Sequence, residues 1–487
     1  MVEELLIYGV GLLAVWLAAW RLQSVKLRQA LYLIASWLFY YTWGKTLIVV
    51  LVFSSLMNYG LGEWLRKKIT AGRLWVGILA NVVLLSVFKY LPAIGAASAA
   101  GSPLAFLKRI LFPIGVSFWT FEALSYLLEI YREEDLDPTL VEFCLYMAFW
   151  PTVLQGPICR MSSLLPQFRQ QWTVNDEDLR IGVRRLSIGL VMAALGILMS
   201  GGLHSGAGVD AIFNDTAAHR TGIDVWFMLL GYGFQLYFSF CGWTHMMIGG
   251  ARLFGIQLHE NFDRPYLSTT LSIFWTRWHM SLSFWIRDFL FLPLATVRRE
   301  VWWRNLSLVI AMFVFGLWHG GDITFMMWGT YHGILMVLHR QWQEFRKRTG
   351  FEWSGTVPSL ISWVITFTAV LIGYIFFRAE NLHQAIAMVK AIASLHGYRH
   401  LTLDRSFCLM TIVAAVGYFA VIGGSMFLDR LAEHAQEGGG WLTRAFGLIA
   451  TERWVWIAPL VVVAALYISV MFQPGHAETG PVMYALF

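Results

Sequence analysis

The sequence predicts an all-α integral membrane protein, a polytopic bundle of about 11 to 14 membrane helices with some segments broken or re-entrant. Three observations carry that prediction. Of 487 residues, 57% are hydrophobic and 14% charged, against about 25% charged in a typical soluble domain, and the mean hydropathy is +0.59. Apolar runs long enough for a bilayer, which needs roughly 20 residues, recur from one end to the other. The 24 tryptophans suit belts at the membrane interfaces. Lipid covers the outer face of each helix, whereas a water-soluble fold cannot hide so much apolar surface.

The runs fall near residues 5–20, 28–43, 46–64, 74–91, 110–131, 140–158, 186–204, 225–255, 305–319, 323–339, 360–378, 407–428 and 455–472. The first follows MVEELLIYG, with acidic residues where a cleaved signal carries basic ones, so it reads as a permanent helix. The run 225–255 is too long for one straight span, and Gly231, Gly233 and Gly242 mark the expected breaks. Arg21, Lys26 and Arg28 follow the first span, and Arg66, Lys67, Lys68 and Arg73 the third. Both loops are therefore expected in the cytoplasm, with the acidic N-terminus outside. The uncharged stretch Ala93–Pro103 fits an exterior loop, and Arg340, Arg346, Lys347 and Arg348 fit a cytoplasmic one. No inverted repeat of the transporter kind is visible.

The net charge of +6 and the isoelectric point near 9.1 do not point to nucleic acid, because the basic residues are scattered between apolar segments. Cys144, Cys159, Cys241 and Cys408 lack CxxC spacing and read as buried packing residues, with no disulfide or zinc framework.

Ionisable groups inside apolar runs are costly, so each is a functional candidate. They concentrate between about 235 and 335. The densest stretch, Phe274–Phe291, reads FWTRWHMSLSFWIRDFLF. As one helix it places Trp275, His279, Ser283 and Arg287 on one face and Arg277, Ser281 and Asp288 on another. Such an amphipathic helix among membrane spans either lines a water-containing cavity, lies re-entrant, or rests on the membrane surface. The second stretch, Phe315–Gly333, reads FGLWHGGDITFMMWGTYHG. Here an apolar helix runs into His319 and then Gly320 and Gly321, so His319 is expected at a break inside the membrane region, with Asp322 beside it and His332 further on. The pattern alone leaves a hydrogen-bonded structural histidine, a catalyst and a proton relay all open.

Transfer of an acyl group from a thioester to a hydroxyl needs a base near neutral pKa and hydrogen-bond donors for the carbonyl oxygen; histidine suits the first role. GxSxG, HExxH, Walker A and GxGxxG motifs are missing, so nucleotide-driven transport, dinucleotide chemistry and a zinc site lack support.

Taken in order, the motifs resemble those of the membrane-bound O-acyltransferase family, in its bacterial branch that includes alginate O-acetyltransferases. Ser36–Gly44 (SWLFYYTWG), Phe112–Arg132 (FPIGVSFWTFEALSYLLEIYR) and Pro151–Arg160 (PTVLQGPICR) match its PIGISFYTFQ and GPI-R regions and the helix before them. Asn261–Tyr266 (NFDRPY), Trp275–Asp288, Leu317–Gly320 (LWHG) and Phe376–Ala379 (FFRA) follow. The match covers about residues 30 to 385. The resemblance implies N-terminal membrane helices over 1–100, a catalytic core over 101–400 and C-terminal helices over 401–487, with the helices around a central tunnel. It makes His319 the expected catalytic residue and His279 the second. Arg277, Ser283, Arg287, Asp288, Trp318, Gly320, Ser239, His245 and His332 become candidates for the tunnel lining. Ser239 and His245 stand in QLYFSFCGWTHMMIG where the alginate-type pattern YFDFSGYSDMAIG has acidic residues, which argues for a different acceptor.

The activity implied is O-acyl transfer in a bacterial inner membrane, from acetyl-CoA or another acyl thioester to an extracytoplasmic polysaccharide, with no resident cofactor or metal. The expected partners are the thioester donor, the polysaccharide acceptor and a periplasmic or membrane-anchored acetyltransferase. D-Alanyl transfer from a carrier protein to teichoic acid is the alternative within enzymes, and a proton-coupled transporter the alternative outside them.

Overall fold

The computed structural model describes residues 2–436 apart from 99–101, 173, 202–207, 217–218, 395–397 and 399. Among these the fold is all-α, without a sheet; one isolated bridge pairs Phe262 with Trp278. The helices are α1 (Val2–Arg21), α2 (Val25–Gly44), α3 (Ile48–Lys67), α4 (Ala71–Lys89), α5 (Leu91–Ala97) and α6 (Val116–Tyr131). They continue as α7 (Leu140–Ala148), α8 (Met161–Arg169), α9 (Asp176–Gly201), α10 (Val209–Asn214), α11 (Gly222–Leu253), α12 (Leu271–Trp275) and α13 (Met280–Ile286). The last are α14 (Leu292–Thr296), α15 (Val301–His319), α16 (Ile323–Thr349), α17 (Thr356–Arg378), α18 (Leu382–Ala393) and α19 (Arg405–Gln436).

Seven described segments are long and apolar enough to cross a membrane, one of them the continuous stretch Val25–Lys67 of α2 and α3. The chain is a polytopic membrane protein. Most predicted spans fall on these helices, and the run 455–472 lies outside the described residues. Two expectations are overturned. The run 140–158 is not one span: α7 ends at Ala148, and the buried segment that follows is irregular until α8. The run 225–255 does not break, since α11 is a single helix of 32 residues. Its glycines serve packing instead. A Cβ on Gly242 would meet the backbone of Ala193 in α9 at 2.5 Å, and one on Gly231 would meet Phe407 of α19 at 2.9 Å.

The described chain forms two compact units. The first comprises residues 1–185, 247–261 and 280–293. Its centre is α6, buried all round except at Leu128 and Tyr131, with Glu122 and Glu129 enclosed among its apolar residues. Small residues let α6 approach its neighbours: a Cβ on Gly77 of α4 would come 2.7 Å from Leu127. Tyr126 and Phe143 pack with ring centroids 4.6 Å apart. Between α3 and α4, Asn58 and Asn81 exchange amide hydrogen bonds of 3.0 and 2.7 Å, and both are fully buried. Each amide satisfies the other where water cannot reach.

The second unit comprises 186–246, 262–279 and the described residues from 294 onward. Its framework is the antiparallel hairpin of α15 and α16, joined by residues 320–322. A glycine seam holds it: a Cβ on Gly329 would meet the Cα of Gly316 at 3.1 Å, and one on Gly333 the Cα of Val309 at 3.0 Å. The two backbones touch because neither carries a side chain at the crossing.

Candidate active site

His319 is the last residue of α15, and the predicted break follows it at once. Gly320 is extended, and Asp322 takes the N-cap position of α16. A Cβ on Gly320 would strike the Phe325 ring. The seam below therefore closes the hairpin tightly and leaves His319 inside its turn. The imidazole is 8% exposed and walled by rings: Phe315, Trp318, Trp328 and Phe377 lie with centroids 5.0, 4.6, 5.1 and 5.0 Å away.

The stretch Trp275–Asp288 corrects the sequence reading. It is not one helix: α12 ends at Trp275, α13 starts at Met280, and His279 between them has φ +44°. That left-handed backbone is rare for a residue with a side chain, although histidine tolerates it better than most. The NFDRPY segment is what breaks the helix. In the second unit, Asp263 N–H donates to the carbonyl of Arg277 at 3.0 Å beside the Phe262–Trp278 bridge. In the first, Met280 N–H donates to the carbonyl of Asn261 at 2.9 Å, and the Asn261 side-chain oxygen accepts from Ser281 N–H and Oγ at 3.1 and 2.7 Å. Ser281 Oγ in turn accepts from Ile158 N–H at 3.0 Å. The common face of Trp275, His279, Ser283 and Arg287 does not exist, because the chain reverses its twist at His279.

Within the second unit, both histidines belong to one aromatic cluster. His279 packs edge-on to Phe240 at 4.8 Å, and ring contacts of 5.0–5.7 Å run on through Phe262, Trp278, Phe274, Trp275 and Phe315 to His319. His279 is 2% exposed. His332, equally buried, joins through Trp275 and Trp328, each at 5.3 Å. Trp318 stacks on Phe315 and flanks His319 directly. Ser239 and the half-buried His245 lie along α11; Ser239 packs where Gly196 of α9 leaves room. Arg277 is half-buried and enters the site through its backbone carbonyl.

Ser283, Arg287 and Asp288 belong to the first unit. Arg287 pairs with Asp288 at 2.7 Å, and Arg160 reaches the other oxygen of Asp288 at 2.5 Å. Burial alone would raise the Asp288 pKa, but the two guanidiniums hold it below the usual carboxylate value. Residues 287–291 form a π-helical turn, and Arg132 and Arg160 lie 4.7 and 4.9 Å from the Phe289 ring centroid. Arg160, Asn261 and Trp328 were not among the predicted site residues. For Arg160 a signal existed, since it is the only charged residue between Phe149 and Leu165.

The family model for the membrane-bound O-acyltransferases matches residues 100–378, which include every motif residue described above from Phe112 to Arg378. The chain belongs to the membrane-bound O-acyltransferase family. It is an O-acyltransferase of a bacterial membrane. Among its relatives, the probable alginate O-acetylase of Pseudomonas syringae pv. tomato is 31% identical over 91% of this chain and 84% of its own. The peptidoglycan O-acetyltransferase of Helicobacter pylori is 30% identical over 77% and 75%. The teichoic acid D-alanyltransferase of Bacillus subtilis is 25% identical over 70% and 85%. Relatives of this O-acyltransferase family member thus carry names for three different acceptors. Their names agree on acyl transfer and differ in what receives the group.

Proposed function

We propose that the protein transfers an acetyl group from a cytoplasmic thioester, acetyl-CoA or an acylated carrier, to hydroxyls of an extracytoplasmic envelope polysaccharide. His319 is the general base. The observation that carries this reading is the seat of His319: an imidazole at a helix break, held between two helices that share a glycine seam and walled by rings. Water is thinned there and the ring is fixed, the conditions under which one base serves both proton transfers of the reaction. His319 takes the acceptor hydroxyl proton as the oxygen attacks the carbonyl carbon. The carbon–sulfur bond then breaks, and the same proton passes to the leaving thiolate.

His279 lies further along the ring cluster and orients the donor thioester. The histidines line a tunnel that the donor enters from the cytoplasm and the acceptor from the other side. A periplasmic or membrane-anchored acetyltransferase is the partner expected on the acceptor side.

The test uses the purified full chain with radiolabelled acetyl-CoA and, in parallel, a D-alanylated carrier protein. Acetyl transfer or thioester hydrolysis that is lost in His319→Ala, with thermal stability kept, supports the reading. Turnover of the D-alanyl carrier alone replaces the donor. Full activity in a well-folded His319→Ala protein removes the base.

A further inference from the structure

The rings next to His319 include three buried nitrogens whose hydrogen-bonding capacity no described residue satisfies: Nε1 of Trp275, Nε1 of Trp328 and Nδ1 of His332. All three side chains are more than nine-tenths buried, at 6%, 4% and 2% exposure. They form a compact triangle, with centroids 5.7 Å apart for the two indoles and 5.3 Å from each indole to His332. A buried indole N–H usually finds an acceptor, and leaving that bond unmade is costly. Two such donors on rings 5.7 Å apart, one ring packed edge-on to His319 with centroids 5.1 Å apart, form a feature that packing alone does not account for.

We propose that the indole N–H of Trp328, with that of Trp275 beside it, receives the acyl carbonyl oxygen of the donor during transfer. This rests on the assignment of His319 as base and adds the group that the base cannot supply. When the acceptor oxygen bonds to the carbonyl carbon and its proton goes to His319, the carbonyl electron pair moves onto oxygen. That charge disperses into the indole N–H donors. It returns as the carbon–sulfur bond breaks and the proton reaches sulfur. Neutral, fixed donors in a dry site stabilise such a charge without reorganising. They favour no charged ligand in the resting state, which suits a carbonyl that is neutral until it reacts.

The experiment substitutes phenylalanine, which keeps one aromatic ring but removes the N–H together with part of the indole's bulk, so thermal stability is read beside activity. Full-length W328F and W275F are assayed with acetyl-CoA, following release of labelled acetate or transfer. The expected result for W328F is a fall in kcat of about 100-fold, with KM within twofold and the melting temperature near that of the wild type. W275F should fall by a smaller factor of the same kind. Should W328F fail to accumulate, W275F carries the test. A second readout needs no turnover: the indole ¹⁵N–H resonance of Trp328 should shift when a ketone analogue of acetyl-CoA, with CH₂ in place of sulfur, is added. Phenylalanine variants within twofold of wild-type kcat, or an indole resonance unmoved at saturating analogue, overturn the proposal. An active His319→Ala protein would instead strike the base assignment, so the two failures are told apart.

Discussion

His332 of α16 rests directly on the backbone of Gly373 in α17: a Cβ at that glycine would come within 2.6 Å of the imidazole Nε2. No larger residue at 373 leaves His332 where it is. Because His332 packs on Trp275 and Trp328, and Trp328 on His319, a displacement at 373 reaches the proposed base through rigid rings. Gly373→Ala should cost about 1–3 kcal/mol through overpacking and lower kcat more than it raises KM. Steady-state kinetics with a thermal melt check this; unchanged kcat in a destabilised protein would uncouple His332 from the site.

The left-handed backbone of His279 makes a different demand. Asn adopts such a conformation readily, whereas a β-branched residue does so at a cost of order 1–3 kcal/mol. His279→Asn should fold like the wild type and lose most activity, while His279→Val should lose stability as well. Melting curves separate the two, and equal stability of both variants would show that the junction does not depend on the backbone at 279.

The buried pair Asn58–Asn81 permits a double-mutant cycle. Either Asn→Leu change alone leaves the other amide's oxygen without its partner, although its N–H still reaches Ser54 or Gly77, and should cost roughly 1–3 kcal/mol. The double substitution should lie much closer to the wild type than the sum of the singles. Strict additivity would mean that the amides do not depend on each other.

Topology is open to labelling because all four native cysteines are buried. Lys68→Cys and Lys347→Cys should react only with reagent on the cytoplasmic side, and Ser102→Cys only from outside. The opposite pattern would invert the orientation inferred from the basic loops.

The sequence made the break after His319 legible because Gly320 and Gly321 directly follow an apolar helix, and nothing in the folded chain competes with that signal. The break at His279 was not legible. The apolar and polar residues from Trp275 to Asp288 keep helical spacing straight through it. What interrupts the helix is pairing with Asn261–Asp263, residues that local periodicity cannot see. Gly231, Gly233 and Gly242 misled for a related reason. Glycine marks both a turn and a close helix crossing, and only the neighbour in space, here α9 or α19, tells which. The irregular segment after α7 escaped because its residues are as apolar as those of a span. The matching role of Arg160 emerged only when Asp288 appeared beside it.

The glycine seam of α15 and α16 also bears on biogenesis. Three residues link the two helices, and Phe325 and Trp328 of the second already cover His319 at the end of the first. A hairpin so closed can leave the translocon as one piece, with its imidazole shielded from lipid by its own helical partner before any later helix has been made. Widening the seam, as Gly316→Leu would, should then show itself during synthesis: the nascent hairpin would splay, expose histidine to acyl chains, and be handed to membrane proteases before an enzyme ever formed.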